Sequence, residues 1–464
     1  MRTRAEYGRH DRVTLAGQGG IDSGGFSASL GGGYFSEDGI SAFKDGGEAD
    51  GYRQYAANGK IGLDLPGDVK IDLRGYYAHS RTELDGFPPP FFSFADTGDF
   101  STAQEIFGYA GVKFPLFGWV LKNRLALTVS DINRDNYSAA GQAEPDFLAR
   151  GRTERAEYVG DADLGQGLRS VFGLDHERSR FNDGFTFAKT HVSSGFAQII
   201  WDMAPRLTLT GGARFDQHRD YGSQMTFSAN AAWRASAGTI FRLSYGEGFK
   251  APTLFQLNGS FGNARLKPEQ SRSYEISAEQ DLIGGRLKFG VAGFLRDSRD
   301  QIDFISCFGE ATGICTDRPF GTYDNIDRSR SQGLEFSFIV NPAENFTFDA
   351  NYSLIDSKDR NSGLALLRRP KHDANINAVW RPEKRFSLGA SLQMTGDSFD
   401  TDFQTFTRTR LDGYVLLGFR ASFDLTRDIS LYGRIDNLGD ENYETVSGYG
   451  NYRRTGHIGI RANF

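Results

Sequence analysis

Hard oxygen donors gather in two polar stretches, Asp45, Glu48 and Asp50 in the first and Asp85, Asp96 and Asp99 in the second. Carboxylates of this kind suit calcium, which would order loops otherwise too polar to pack, although solvated loop acids carry the same residues without a metal. Two cysteines, Cys307 and Cys315, lie close together. In an oxidising compartment such a pair closes a small disulfide loop, and without a nearby histidine it makes a poor metal site. Aromatic residues are dense at Phe91, Phe92 and Phe94 beside three prolines, then at Phe255 and Phe261, and at Tyr443, Tyr449 and Tyr452 with Arg453 and Arg454. Such rings give a large, rigid ligand apolar area at little entropic cost. They also serve as anchors at a lipid interface. Catalysis lacks its parts: His10, His79, His176, His191, His218, His372 and His457 lie far apart, and HExxH, GxSxG and GxxxxGK[ST] are all missing. The expectation is a protein with no catalytic residues, not an enzyme.

These groups need a scaffold, and the end of the chain shows its unit. Ile458, Ile460, Ala462 and Phe464 alternate with His457, Gly459, Arg461 and Asn463, the two-residue period of a strand with one apolar side. Ile429, Leu431, Gly433 and Ile435 alternate with polar residues in the same way, so the two segments form a hairpin around a tyrosine-rich loop. A strand that ends the chain on phenylalanine is a mark of barrels that face lipid outside and water inside. The pattern recurs from Val69 to Tyr77, Leu207 to Asp216, Phe346 to Ile355, Phe386 to Met394 and Val415 to Asp424, with charges in mid-strand that a dry core would not tolerate. Short turns such as Pro66-Gly67-Asp68 take turns with long loops, including Asp85 to Ser101, Thr253 to Ser271, Ser306 to Asp327, Lys358 to His372 and Tyr443 to Thr455. Together these features predict an all-β transmembrane antiparallel barrel of about 22 strands, a size at which the lumen is plugged in known transporters. Both termini are then expected on the periplasmic side, with the long loops and the cysteine pair outside the cell.

Composition agrees. The chain has 464 residues with 57 glycines, 39 phenylalanines and 19 tyrosines, as one repetitive β architecture would. Mean hydropathy is −0.46, and no apolar run reaches the ~18 residues of a spanning helix. The net charge of −6 offers no basic field for nucleic acid.

Several motifs resemble those of TonB-dependent outer-membrane receptors: Gly246-Glu247-Gly248-Phe249-Lys250-Ala251-Pro252, then Asn263-Ala264-Arg265-Leu266-Lys267-Pro268-Glu269, Leu367-Arg368-Arg369-Pro370-Lys371-His372, and Asp436 through Val446. Within the family the chain is most similar to cobalamin receptors, in Glu441 through Phe464 and in two stretches, Glu48 to Tyr52 and Arg81 to Gly86, that resemble their calcium-binding loops. The resemblance implies an importer of a scarce nutrient, cobalamin or a related large ligand, held by extracellular loops, with calcium as a possible ion and no other cofactor. It implies lipid bilayer and lipopolysaccharide as surroundings, and TonB as a partner reached only through a plug domain. Haem is disfavoured, because haem receptors of the family place a histidine between the motifs around Lys250 and Pro268.

Family members also begin with a TonB-contacting box and a plug. This sequence reads as one barrel domain over residues 1–464, starting at a first barrel strand with neither plug nor signal peptide. The expected lumen charges Lys70, Asp72, Arg74, Arg214, Asp216, Arg242, Arg420 and Arg434 have two uses open to them, solvation in an open channel or, the favoured one, pairing with complementary groups on a plug supplied in cis or in trans. By itself the barrel is expected to conduct passively, as a porin-like channel.

Overall fold

A computed structural model describes residues 1–139, 141–307 and 312–464. Twenty-two strands form one antiparallel sheet, and the first strand, Arg2–Gly8, pairs with both the second, Arg12–Ser23, and the last, Thr455–Asn463, so the sheet closes on itself. Closure removes the two open edges that any flat sheet would present. A separate two-stranded hairpin, Ser398–Thr401 with Arg408–Leu411, lies in one of the loops. No helix among the described residues is long and apolar enough to cross a membrane.

Register fixes which face each residue takes. Leu15, Ala5, Ile460 and Leu431 are consecutive cross-strand partners through the closure seam. Because side chains alternate, all four share one face. Following partners around the ring puts Leu30, Leu73, Leu127, Leu174, Leu243 and Ile276 on that same face, and all are exposed. An exposed apolar band this extensive is the hydrocarbon-facing surface of a membrane barrel.

The opposite face carries the mid-strand charges, and many of them find partners within the wall. Arg74 pairs with Asp72, Arg214 bridges Asp175 at 3.2 Å and Asp216 at 2.9 Å, Arg242 holds Glu279 at 2.6 Å, and Lys70 reaches Asp64 at 3.3 Å. Arg420 lies across Gly389, whose missing side chain leaves it room.

Strand length varies strongly around the ring. On one side Val69–Gly86, Ala95–Leu116, Leu121–Tyr137 and Phe147–Gly165 run for 18, 22, 17 and 19 residues. Near the seam Ile429–Asp436, Thr455–Asn463 and Arg2–Gly8 have 8, 9 and 7. A tilted strand crosses a bilayer in about 9 to 11 residues, so the short wall barely spans and the tall wall projects well beyond. Tight turns and both chain ends share one rim; at Pro66-Gly67-Asp68 the turn places Gly67 at φ 78° and Asp68 at φ 60°, which glycine and aspartate tolerate best. The long loops share the other rim. They are somewhat shorter than the sequence suggests, since the strands run on to Gly86 and Asp359 and restart at Ala95, Glu269 and Thr322.

Candidate functional site

The loop rim above the short wall is tied together from distant parts of the chain. Residues 42–44 pair with 448–450: Phe43 bridges Tyr449, the Lys44 amide donates to Gly448 at 3.0 Å, and the Gly450 amide donates to Ala42 at 2.9 Å. Tyr449 stacks on Phe94 with ring centroids 4.3 Å apart, and Phe94 also meets Phe43 and Phe87. Phe403, from the loop hairpin, closes edge-on against Phe87 and Tyr449 and lies beneath the Arg368 guanidinium. Asp400, fully buried, is the polar knot of this roof: it accepts from Arg368 at 2.8 Å and from the Ser447 amide at 2.9 Å. Lys44 and Glu444 add an ion pair at 3.0 Å.

Carboxylates position the segment that carries Phe43. The Ala42 amide donates to Asp50 and the Phe43 amide to Asp85, while Asp85 also accepts from Ser41 at 3.1 Å and from the Thr97 amide at 2.7 Å. Glu48, Asp50 and Asp85 each offer an oxygen within 4.8 Å of the others. Asp50 lies at the loop end of its 16-residue strand, outside the membrane-crossing part. Burial first, and then Asp85 and Glu48, push its carboxyl up to about 7. Burial with Asp85, Asp96 and Glu83 likewise raises Glu48, and burial with Asp146 and Asp85 raises Asp99. One Asp50 oxygen is buried without a hydrogen-bond partner, so the donor set fits a hard cation.

Of the six sequence-expected acids, Glu48, Asp50 and Asp85 meet. Asp96 stands beside them and accepts from the Gly47 amide at 2.7 Å, and Asp99 is near enough for the Asp85 charge to raise its carboxyl. Asp45 is outside the cluster that meets, and its field reaches Lys44. Glu83, which lies in the Arg81 to Gly86 stretch but outside the six expected acids, accepts from the Gly51 amide at 3.1 Å.

The aromatic candidates divide. Phe94 is 2% exposed and belongs to the roof's interior, whereas Phe91 beside it is 83% exposed. Phe92 packs against Phe320. Phe255 sits on the short helix Leu254–Asn258 among Phe147, Phe181 and Tyr323, and Phe261 meets Phe304 edge-on. Tyr443 lies against Tyr414 at 4.4 Å. Tyr452 packs on His10, and burial beside Glu37 pushes its phenol up to about 12. Arg453 and the Arg454 amide hold Asp440, whose carboxyl drops to about 2, and the Arg454 side chain donates to the Leu438 carbonyl.

Cys307 and Cys315 form a disulfide with Cα atoms 5.3 Å apart; residues 308–311 between them lie outside the described residues. Phe87, Phe403 and Asp400 are roof members that the sequence reading missed. Phe87 flanks the proline run and could have been grouped with Phe91, but nothing in the sequence marks Asp400.

At the seam below, Glu6 is the hub of the inner face. Its side chain is fully buried and takes Arg4 at 2.7 Å, the Tyr432 hydroxyl at 2.9 Å and Arg434 at 3.3 Å, joining the first strand to the one beyond its neighbour. Gly459 lies between, and any side chain there would run into the Tyr432 ring.

Residues 3–438 match the family described as TonB dependent receptor-like, beta-barrel. Among solved structures, the ferric enterobactin receptor PfeA of Pseudomonas aeruginosa, as a mutant in complex with enterobactin, superposes with a TM-score of 0.83 at 16% identity, covering 100% of this chain and 80% of that one. The siderophore receptor PirA of Acinetobacter baumannii gives 0.83 at 14%, covering 100% and 80%. The FrpB iron transporter of Neisseria meningitidis gives 0.82 at 13%, covering 100% and 81%.

Proposed function

Because the chain belongs to the TonB-dependent receptor-like β-barrel family, an outer-membrane family, we propose that it is the wall of an importer for a large, rigid, scarce nutrient. The observation that carries this reading is the loop rim, where exposed aromatic and arginine side chains surround a roof built from five separated segments. Phe91, Phe261, Arg453 and their neighbours are the ligand-facing residues, and Phe94 and Tyr449 hold the platform. The ligand is cobalamin, as the motifs suggest, or a ferric siderophore, as bound or carried by the similar solved structures. Both are bulky chelates that offer apolar faces to aromatic rings. The long loops face outward and both termini face the periplasm, with a plug in the lumen, whether in the same polypeptide or separate, as the only route to TonB.

Calcium at Glu48, Asp50 and Asp85 is part of this proposal. The ion would relieve three mutually repelling carboxylates and so hold the segment carrying Phe43. Titration of the purified protein with cobalamin and with a ferric catecholate siderophore tests the function. Micromolar or tighter binding of one, weakened at least tenfold by Phe91→Ala with Phe261→Ala, is expected; binding of neither removes the reading.

A second reading has its own support. Many of the lumen charges pair with one another along the wall, which favours an inner face that is largely neutralised without a plug. A barrel standing by itself would then be a passive, porin-like channel of wide bore. Planar-bilayer recordings should give large, non-selective conductance, and a silent bilayer would refute the open channel.

A further inference from the structure

The tall wall carries a feature that nutrient uptake does not use. On the strands Phe147–Gly165, Leu168–Asn182 and Phe187–Ala204, Arg152, Arg180 and Lys189 are consecutive cross-strand partners, and so are Glu154, Arg178 and His191 one step nearer the apolar band. Both rows have the parity of Leu174 and Ile199, so they stand on the lipid-facing side of the wall; the lumen belongs to their chain neighbours Asp175, Glu177 and Ser179. Arg219 extends the strip, since its amide bonds the His191 carbonyl. Arg152, Arg178, Arg180, Lys189 and Arg219 are all exposed.

Cations outnumber acids on this face. Glu154 is shared between Arg152 at 2.8 Å and Arg180 at 3.4 Å, Asp131 lies 3.8 Å from Arg152, and Asp220 lies 3.7 Å from Arg219. The Arg178 guanidinium reaches only the His176 ring at 3.2 Å, and among the described residues Lys189 has no ion pair. Immediately below, Phe172, Leu174, Ala197 and Ile199 continue the same face into the hydrocarbon band. Cations packed at the border of hydrocarbon and water, with apolar surface directly beneath, match a ligand that has phosphate above and acyl chains below. Guanidinium groups also take phosphate oxygens in bidentate fashion.

We propose that this face is a binding site for the phosphorylated headgroup of an outer-leaflet lipid, gripped by Arg152, Arg178, Arg180, Lys189 and Arg219 while its chains lie on the apolar band. Free phosphate shares the headgroup chemistry but gains nothing from the surface beneath.

The test titrates the purified full chain in detergent with a bisphosphorylated lipid A, with the same lipid stripped of both phosphates, and with inorganic phosphate. The phosphorylated lipid should bind at least tenfold more tightly than either comparison. The triple variant R178A/R180A/K189A should lose at least tenfold in that affinity, whereas Lys384→Ala at the opposite rim should change nothing. Equal binding of the stripped lipid, a triple variant that matches the wild type, or inorganic phosphate that binds as tightly as the lipid would each overturn the proposal. The lipid comparison uses the wild-type chain, so it stands whatever the variant's folding.

Discussion

The tall and short walls solve the same problem with different means. The tall wall is long ladder: Val69–Gly86 and Ala95–Leu116 pair through nearly their full lengths, and backbone hydrogen bonds supply the cohesion. At the seam the ladder from Arg2 to Gly8 is short, and side chains make up the difference, with Glu6 tying the first strand to the one beyond its neighbour on the inner face and the aromatic roof joining five segments above. Where wall height is lacking, named side chains become decisive; where it is ample, single charges are replaceable.

The sharpest way to break this contrast is Glu6→Ala. It leaves Arg4 and Arg434 without the anion they share and the Tyr432 hydroxyl without its acceptor; with both arginines partly exposed, the loss should be about 1–3 kcal/mol. The expected readout is a clear fall in the barrel's thermal unfolding temperature in detergent; a variant as stable as the wild type would mean that the short ladder suffices. Phe94→Ala should cost about 3 kcal/mol locally, as large aromatic truncations do. That loss should show as rapid proteolysis in the loops around residues 87–94 and 441–454, with the barrel melting unchanged. The tall-wall control is Arg242→Ala. Its partner Glu279 is largely exposed, so the effect should stay within about 1 kcal/mol.

A fourth prediction concerns pH. Asp50's carboxyl is raised in the folded loops, so the folded form holds its proton more tightly than the unfolded chain does. Without a divalent ion, the contribution is full below the ordinary aspartate value and is lost as pH rises through about 7. Tryptic cleavage after Lys44 should therefore be slower at pH 5 than at pH 8 once intrinsic trypsin rates are normalised. Calcium should protect the site at pH 8 and flatten the dependence; cleavage indifferent to both pH and calcium would remove the carboxylates from the roof's support.

Much of this was legible in residue order. Alternation alone assigned faces correctly to Val69–Tyr77, Phe346–Leu354 and Phe386–Met394, because a strand with lipid on one side and water on the other must write its environment into every second residue. The cysteine pair was equally readable, since its two members are close in the chain. Local spacing also brought Asp50 together with Glu48, but it could not tell that Asp85 would join them while Asp45 would not. Phe94 could not be distinguished from Phe91 either: their sequence surroundings are nearly the same, yet one is buried against Tyr449 and the other is bare.

The period of two and the polar turns determined a closed, lipid-facing barrel, since no other arrangement satisfies so many one-sided strands at once. Only the tertiary structure decided which strands overshoot the bilayer, which charge closes the seam and which rings form the roof. Those outcomes rest on contacts between residues hundreds of positions apart, as between Glu6 and Arg434 or Phe43 and Tyr449, and a local pattern carries no record of them.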